Sequence, residues 1–174
     1  MLQIRVAMPN ELEHIIDFYN TIIDSMQGKT NKAGWKKGIY PTESFLRDAI
    51  AKGELYVGEL ENEMVVCVVA NHEGNEGYRQ VRWLVEAKET EQLVLHILGV
   101  HPMYVGRGIA QKTLQFIIQL ASLAKIKSIR LDVLHDNFPA QRTYERAGFQ
   151  HLDTITMYYD DTGWTDFLIY EYIV

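Results

Sequence analysis

The chain has 174 residues, 47% of them apolar and 23% charged, which is enough for one domain to bury a core and too apolar for a disordered chain. Its net charge of −6, with no basic cluster beyond Lys36-Lys37 and scattered bases over 125–130, excludes the basic face that nucleic acid requires. No apolar run reaches the length of a membrane span, and Met1-Leu2-Gln3-Ile4-Arg5 has no signal-peptide apolar core. With Cys67 as the one cysteine no internal disulfide can form, so these features predict a soluble cytoplasmic protein with no membrane and no nucleic-acid partner.

Leu2 to Val6 alternates apolar and polar, which predicts a short strand. Asn10 precedes Glu13 by one helical turn, the spacing of a capping box. Leu12, Ile15, Ile16, Tyr19, Ile22, Ile23 and Met26 follow at helical spacing. Residues 28–40 read as a loop holding Trp35. Pro41-Thr42 then opens a second helix with Phe45, Leu46, Ala49 and Ile50 on one face and Gly53 just past its end. The apolar runs 55–60 and 64–70 form a hairpin across Glu61-Asn62-Glu63. Cys67 lies inside the second run and reads as a core residue rather than a nucleophile.

Residues 71–90 are polar and poorly periodic, a loop with one short helix at most. Leu93 to Leu98 is nearly unbroken apolar, the mark of a strand covered on both faces. Gly106-Arg107-Gly108 starts a long helix with Ala110, Thr113, Leu114, Ile117 and Ala121 inward, and 129–134 is the next strand. Strand, helix, strand at this spacing is a right-handed crossover between parallel neighbours. Asn137 caps a short helix that ends at Gly148, and 149–159 with 164–173 form a last hairpin across Asp160-Asp161-Thr162-Gly163. The order β-α-α-β-β-β-α-β-α-β-β predicts one α/β domain over 1–174, a mixed sheet with helices on both faces.

Two segments carry chemistry. Gly106 and Gly108 open a helix, so bare backbone can approach a ligand and the unpaired N–H groups of the first turn point at it. The helix dipole favours negative charge there, and a phosphate or diphosphate suits the place. No Gly-Lys-Ser/Thr follows, which excludes a Walker loop. Gln111 stands where the dinucleotide fingerprint needs its third glycine. The second segment is Asp136-Asn137-Phe138-Pro139-Ala140, followed by Tyr144-Glu145-Arg146-Ala147-Gly148-Phe149.

Together these segments resemble the coenzyme-binding core of the GCN5-related N-acetyltransferases. The strand ends in Leu98-Gly99-Val100-His101-Pro102 and leads to Met103-x-x-Gly106-x-Gly108, similar to the family's Gln/Arg-x-x-Gly-x-Gly/Ala loop. Asn137, Tyr144, Gly148 and Phe149 match its Asn-x(6)-Tyr-x-x-x-Gly-Phe signature. Met103 departs from the family's Gln or Arg and removes one side chain from the phosphates. The resemblance implies the acyl-CoA N-acyltransferase fold, acetyl-CoA as cosubstrate and a primary amine as acceptor, with direct attack in a ternary complex.

It also implies roles. Leu98, Gly99 and Val100 would pair with the pantetheine arm as an added strand does, with Gly99 suited to the bulge that parts the strands. A freed N–H near Leu98 would polarise the thioester carbonyl. Gly106, Arg107, Gly108, Ile109 and Ala110 would hold the diphosphate. Asn137 would bind the coenzyme arm as well as cap its helix, and Tyr144 would attend the departing thiolate. Full proton transfer from a phenol to a thiolate is uphill by roughly 2 kcal/mol, so a hydrogen bond to the developing charge is the larger effect.

An alkylamine is protonated at neutral pH, so a base is needed. His96 resembles the base-strand histidine of arylalkylamine members of the family; Glu86 and Glu91 are further candidates. Trp35, Tyr40, Tyr158 and Tyr159 are candidates for the acceptor pocket. The acidic balance suits a cationic acceptor, and no residues have metal-ligand spacing. Other readings stay open: a protein N-terminal or lysine acetyltransferase, a non-catalytic acyl-CoA sensor, or a plain nucleotide-binding module. The late hairpin also offers an edge for pairing in a homodimer.

Overall fold

A computed structural model describes residues 1–29 and 33–174 of the chain, so part of the loop expected over 28–40 lies outside the described residues. The elements are β1 (Gln3–Val6), α1 (Leu12–Met26), α2 (Glu43–Ala51), β2 (Leu55–Leu60), β3 (Glu63–Asn71), β4 (Gln92–Val100), α3 (Ile109–Leu123), β5 (Ser128–Leu134), α4 (Phe138–Arg146), β6 (Gln150–Tyr159) and β7 (Gly163–Ile173). They build one seven-stranded sheet in the order β1-β2-β3-β4-β5-β7-β6. Among the described strands only β4 and β5 run parallel, joined by the α3 crossover.

Helices cover both faces. Ile15, Tyr19 and Ile22 of α1 and Leu46 and Ile50 of α2 pack on Val57, Cys67, Val69 and Ile97. Leu114, Ile117 and Ala121 of α3 pack on Val68, Ala70, Leu95 and Ile129 from the other side. The strict alternation along β3, with Cys67 and Val69 on one side and Val68 and Ala70 on the other, follows from the period of two in a strand. Cys67 is fully buried, and burial pushes its thiol well above the ordinary value, as befits a core residue.

Local chemistry sets the joints. Glu61 and Asn62 both take positive φ, +56° and +66°, the turn that matches the twist of a two-residue hairpin. Thr42 caps α2 by accepting from the Phe45 N–H at 3.1 Å. The first helix differs from the expected start. A short 3-10 turn, Pro9–Glu11, precedes it, and Glu11 rather than Glu13 reaches back to accept the Met8 N–H at 2.7 Å. Glu11 is drawn there because it also pairs with Arg5 at 2.7 Å. In α3 the inward residue of the first turn is Ile109, not Ala110.

The segment between β3 and β4 holds two short 3-10 turns, Glu76–Gln80 and Glu89–Glu91. It is pinned to the sheet by polar contacts, which leave no periodic signal in the sequence. Arg130 of β5 stacks under Trp83 at 4.1 Å and donates to the Val85 carbonyl at 2.9 Å. Buried Glu171 of β7 accepts from the Leu84 N–H at 2.6 Å and from Ser128 Oγ at 2.5 Å, and sits 3.3 Å from Arg130. Among the described residues no helix is long and apolar enough to cross a membrane.

Candidate active site

The site forms where the centre of the sheet opens. β4 and β5 pair only from Gln92 to Val94 against Ser128 to Arg130. Beyond that point β5 stays in register with β7 as far as Leu134, and β4 stays with β3, so a gap opens between them. A bulge in β4 drives the divergence. The β3–β4 register passes from Val69↔His96 to Cys67↔Gly99, leaving Ile97 and Leu98 opposite Val68. Ile97 takes φ +48°, a conformation that β-branched residues rarely adopt.

The bulge was expected at Gly99, but that residue lies in regular register with Cys67. Its missing side chain serves another purpose: a Cβ there would come 2.8 Å from Ile22 Cδ1 and 3.2 Å from Tyr19 Cε1. Gly99 therefore lets α1 close on the sheet.

One cavity lies on the α3 side of the gap. Leu98, Val100, Gly106, Gly108, Ile109 and Ala110 line it, all of them positions singled out from the sequence. Gly106 and Gly108 have φ +81° and +75°, left-handed conformations that glycine adopts at little cost. Gly108 is the N-cap of α3 and offers no side chain to it, so the first-turn N–H groups stay free for a ligand. Arg107 instead lies over the Tyr104 ring at 4.9 Å. Met103 is 74% exposed and does not line the cavity. Gln111, Thr143 and Arg146, which the sequence reading did not single out, do. Gln111 ties α3 to α4 by donating to the Thr143 carbonyl at 2.7 Å, and Arg146 supplies a cation at the α4 wall.

A second cavity lies on the other side of the gap and shares Leu98, Ala140 and Tyr144 with the first. Those residues form the neck between them. His96, Asn137, Trp35, Tyr40 and Tyr159 line the second cavity, so the fold brings together residues far apart in the chain. Tyr158 does not belong to it. As the strand neighbour of Tyr159 it points to the opposite face, is 49% exposed, and packs beside Trp164 at 5.7 Å. Glu86 and Glu91 also lie away from the cavity, and Glu91 pairs with Lys127 at 2.9 Å.

Asp132 and Asp161 line the second cavity too, and the sequence reading passed over both. Asp132 Oδ2 accepts hydrogen bonds from Tyr78 and from Tyr159, each at 2.8 Å. Burial holds this carboxyl above the usual range, and the two phenols pull it only partly back. Signals for it were weak: a lone Asp in an apolar strand, held by a tyrosine from the unreadable 71–90 segment.

His96 Nε2 lies 2.9 Å from Asn71 Oδ1, which assigns Nε2 as the donor and leaves the lone pair on Nδ1. Burial pulls the imidazole down to about 4, against a smaller upward pull from Glu73, so His96 is neutral at physiological pH. Tyr144 is buried, edge-on to Phe149 at 5.7 Å. Burial first, and the Asp132 charge second, raise its phenol above the ordinary value. Asn137 accepts from the Ala140 N–H at 3.4 Å as the N-cap of α4.

A parted pair of central strands, a glycine turn at a helix start and a neck holding a buried tyrosine make up the candidate site. A profile of the acetyltransferase (GNAT) family matches residues 17–149, and the chain belongs to that family. Its members use acetyl-CoA as the acetyl donor.

Solved structures agree. A GNAT-family acetyltransferase from Streptococcus agalactiae is 26% identical, with 99% of this chain and 95% of that one covered at a TM-score of 0.82. Arabidopsis thaliana NAA60 in complex with acetyl-CoA is 18% identical, with 100% and 99% covered at 0.73. A GNAT-family acetyltransferase from Listeria monocytogenes is 17% identical, with 99% and 95% covered at 0.72. The last two share the fold. The residues of the first cavity fit the family's donor: free backbone N–H groups at Gly108 to Ala110 and the cation of Arg146 suit a diphosphate, and β4 beyond Val94 has no β5 partner on its inner edge.

Proposed function

We propose that this acetyltransferase acetylates the primary amine of a small molecule, by direct attack while donor and acceptor are bound together. The observation that carries the reading is the neck at Leu98, Ala140 and Tyr144, which joins a backbone-lined cavity to one walled by aromatic and ionisable side chains. Acetyl-CoA supplies an activated thioester. On this reading the glycine turn and Arg146 hold its diphosphate, and the open edge of β4 at Leu98 and Val100 pairs with its arm, with Asn137 at the neck.

Asp132 attracts the entering ammonium, which loses a proton to solvent, and His96, neutral at physiological pH, relays that proton and accepts a hydrogen bond from the free amine at Nδ1. The nitrogen then bonds to the carbonyl carbon as the carbon–sulfur bond breaks, and one proton ends on sulfur. Tyr144, a weak acid in its buried place, steadies the sulfur by donating a hydrogen bond rather than by giving up its proton. The aromatic and acidic walls of the second cavity support a small amine acceptor.

The test has two stages. Acetyl-CoA should raise the melting temperature, since it binds the folded form only. A thiol-release assay against amines, lysine peptides and free peptide N-termini should then show turnover with small amines. Turnover confined to peptides would replace this reading with a protein acetyltransferase. A melting shift without thiol release would make the chain a sensor.

A further inference from the structure

The second cavity is acidic in a way that acetyl transfer alone does not require. Asp161, in the turn between β6 and β7, is only 4% exposed, and its Oδ1 has no hydrogen-bond partner among the described residues. It lines the inner cavity and also an outer one that opens beside Trp35, and Leu134 and Thr162 line both as well. Asp161 thus stands at the passage from the surface to the neck. Further in is Asp132, whose two phenol bonds both fall on Oδ2, so that Oδ1 accepts no hydrogen bond from the described residues.

Neither carboxylate has a basic partner within ion-pair distance among the described residues. Among the described residues, Lys36 on the outer cavity is the one cation whose field reaches Asp161. Burial raises the carboxyl, with a lesser push from Asp160, and outweighs the backbone N–H groups of Asp161 and Thr162 and the charge of Lys36, all of which lower it. Tyr40 sits in the field of both carboxylates, and Trp35, Tyr40 and Tyr159 wall the space between. Buried carboxylates are ordinarily paired, because a lone one is costly to bury. No described residue supplies that partner. A dicationic molecule with an apolar middle would satisfy both carboxylates and the aromatic walls.

We propose that the acceptor is a linear aliphatic diamine, with its far ammonium on Asp161 and its reacting nitrogen between Asp132 and His96 on one side and Tyr144 on the other. This deepens the acetyl-transfer reading and rests on it. A carboxylate-bearing acceptor, such as an amino acid, is repelled by the same two groups.

The test compares α,ω-diaminoalkanes from 1,3-diaminopropane to 1,6-diaminohexane with the monoamine and the ω-amino acid of matching length, by thiol release. At least one diamine should exceed its monoamine in kcat/KM by about tenfold or more, and the amino acid should fall below both. In Asp161→Asn the diamine-to-monoamine ratio should drop to about one, while the melting shift with acetyl-CoA persists to show an intact fold and donor site. An amino acid matching or beating the diamine, no diamine advantage in the wild type, or a ratio unmoved by Asp161→Asn would overturn the inference. Loss of the melting shift in the wild type would instead sink the acetyl-transfer reading beneath it.

Discussion

Tyr19 Oη donates a 2.8 Å hydrogen bond to the carbonyl of Ile97, the residue held at φ +48° in the β4 bulge. Both residues are buried, and they are joined across the interface between α1 and the sheet. A β-branched residue costs on the order of 1–2 kcal/mol in the left-handed region, so something must hold the carbonyl where the bulge puts it. The bond does so, and it places the geometry of the donor site under the control of a helix on the opposite face. Tyr19→Phe should therefore lose about 1–3 kcal/mol in urea unfolding, through a buried carbonyl left unpaired. It should also weaken acetyl-CoA binding by calorimetry. Destabilisation with unchanged coenzyme affinity would mean that the bulge holds without the phenol.

The glycine turn allows a sharper separation of fold from binding. At Gly108 a Cβ would meet no protein atom within 4 Å, so Gly108→Ala creates no clash. Its φ of +75° nevertheless penalises alanine by about 1 kcal/mol, enough to tilt the turn toward other conformations. The melting temperature of the free protein should fall by a few degrees at most, on the order of what 1 kcal/mol produces in a domain of this size. Acetyl-CoA affinity should fall by much more than that tilt alone, because the new methyl occupies the approach to the helix N-terminus. Titration of both proteins with acetyl-CoA decides it, and equal affinities would move the diphosphate elsewhere.

His96 titrates in an unusual range, and the sign of the effect follows from the cause. Burial pulls the folded imidazole to about 4, whereas the unfolded one stays near 6.5. Above about pH 6.5 both states are neutral there and the residue contributes no pH dependence. Below it the unfolded chain takes up the proton first, so folding stability falls between about pH 6.5 and 4, by up to roughly 3 kcal/mol. His96→Gln keeps a donor toward Asn71 and has no such titration. Between about pH 7 and 4.5, wild type should lose about 2–3 kcal/mol more than the variant in urea unfolding. Parallel losses would show that the imidazole is solvated and unshifted.

The positions that the sequence made legible are those where backbone geometry dictates residue type. Gly106, Gly108 and Gly148 have positive φ, Asn137 is an N-cap, and the apolar stripes of α1 and α3 face the sheet. These rules are local, so spacing alone exposes them. The acceptor side obeys no such rule. Asp132 meets Tyr78 from a segment without periodicity, and Asp161 lines the same cavity as Trp35 only through the sheet order that sets β7 between β5 and β6. The Gly99 reading failed for a related reason. A glycine in a strand can mark a bulge or a close approach, and which of the two depends on α1, a partner far off in the chain.

Asp132 offers a trade between stability and function. Its carboxyl is raised by burial, which means that the folded state disfavours the charge. The penalty is present above the folded value and fades as pH falls toward the unfolded value near 3.8. Asp132→Asn removes the charge and keeps a carbonyl oxygen to accept from Tyr78 and Tyr159. The variant should melt higher than wild type at neutral pH, with the difference closing in acid, and it should turn over amines more slowly. A lower melting temperature at neutral pH would show that the carboxylate is a structural partner of the tyrosines rather than a charge kept for the acceptor.

Tyr144 stands at the neck with its phenol raised by burial and by the Asp132 charge, so it is protonated throughout the physiological range and reluctant to ionise. A hydrogen bond to a thiolate is strongest where charge develops, and such a bond stabilises the transition state more than the bound ground state. Tyr144→Phe should accordingly lower kcat by about tenfold to a hundredfold, the loss of one charge-assisted bond, with acetyl-CoA affinity changed by no more than about twofold. The ring contacts with Phe149 and Tyr170 survive the substitution, so the melting temperature should hold. A solvent isotope effect on kcat that shrinks in the variant would tie the lost rate to the phenolic proton. Undiminished turnover would leave the sulfur to solvent and make Tyr144 a packing residue of the neck.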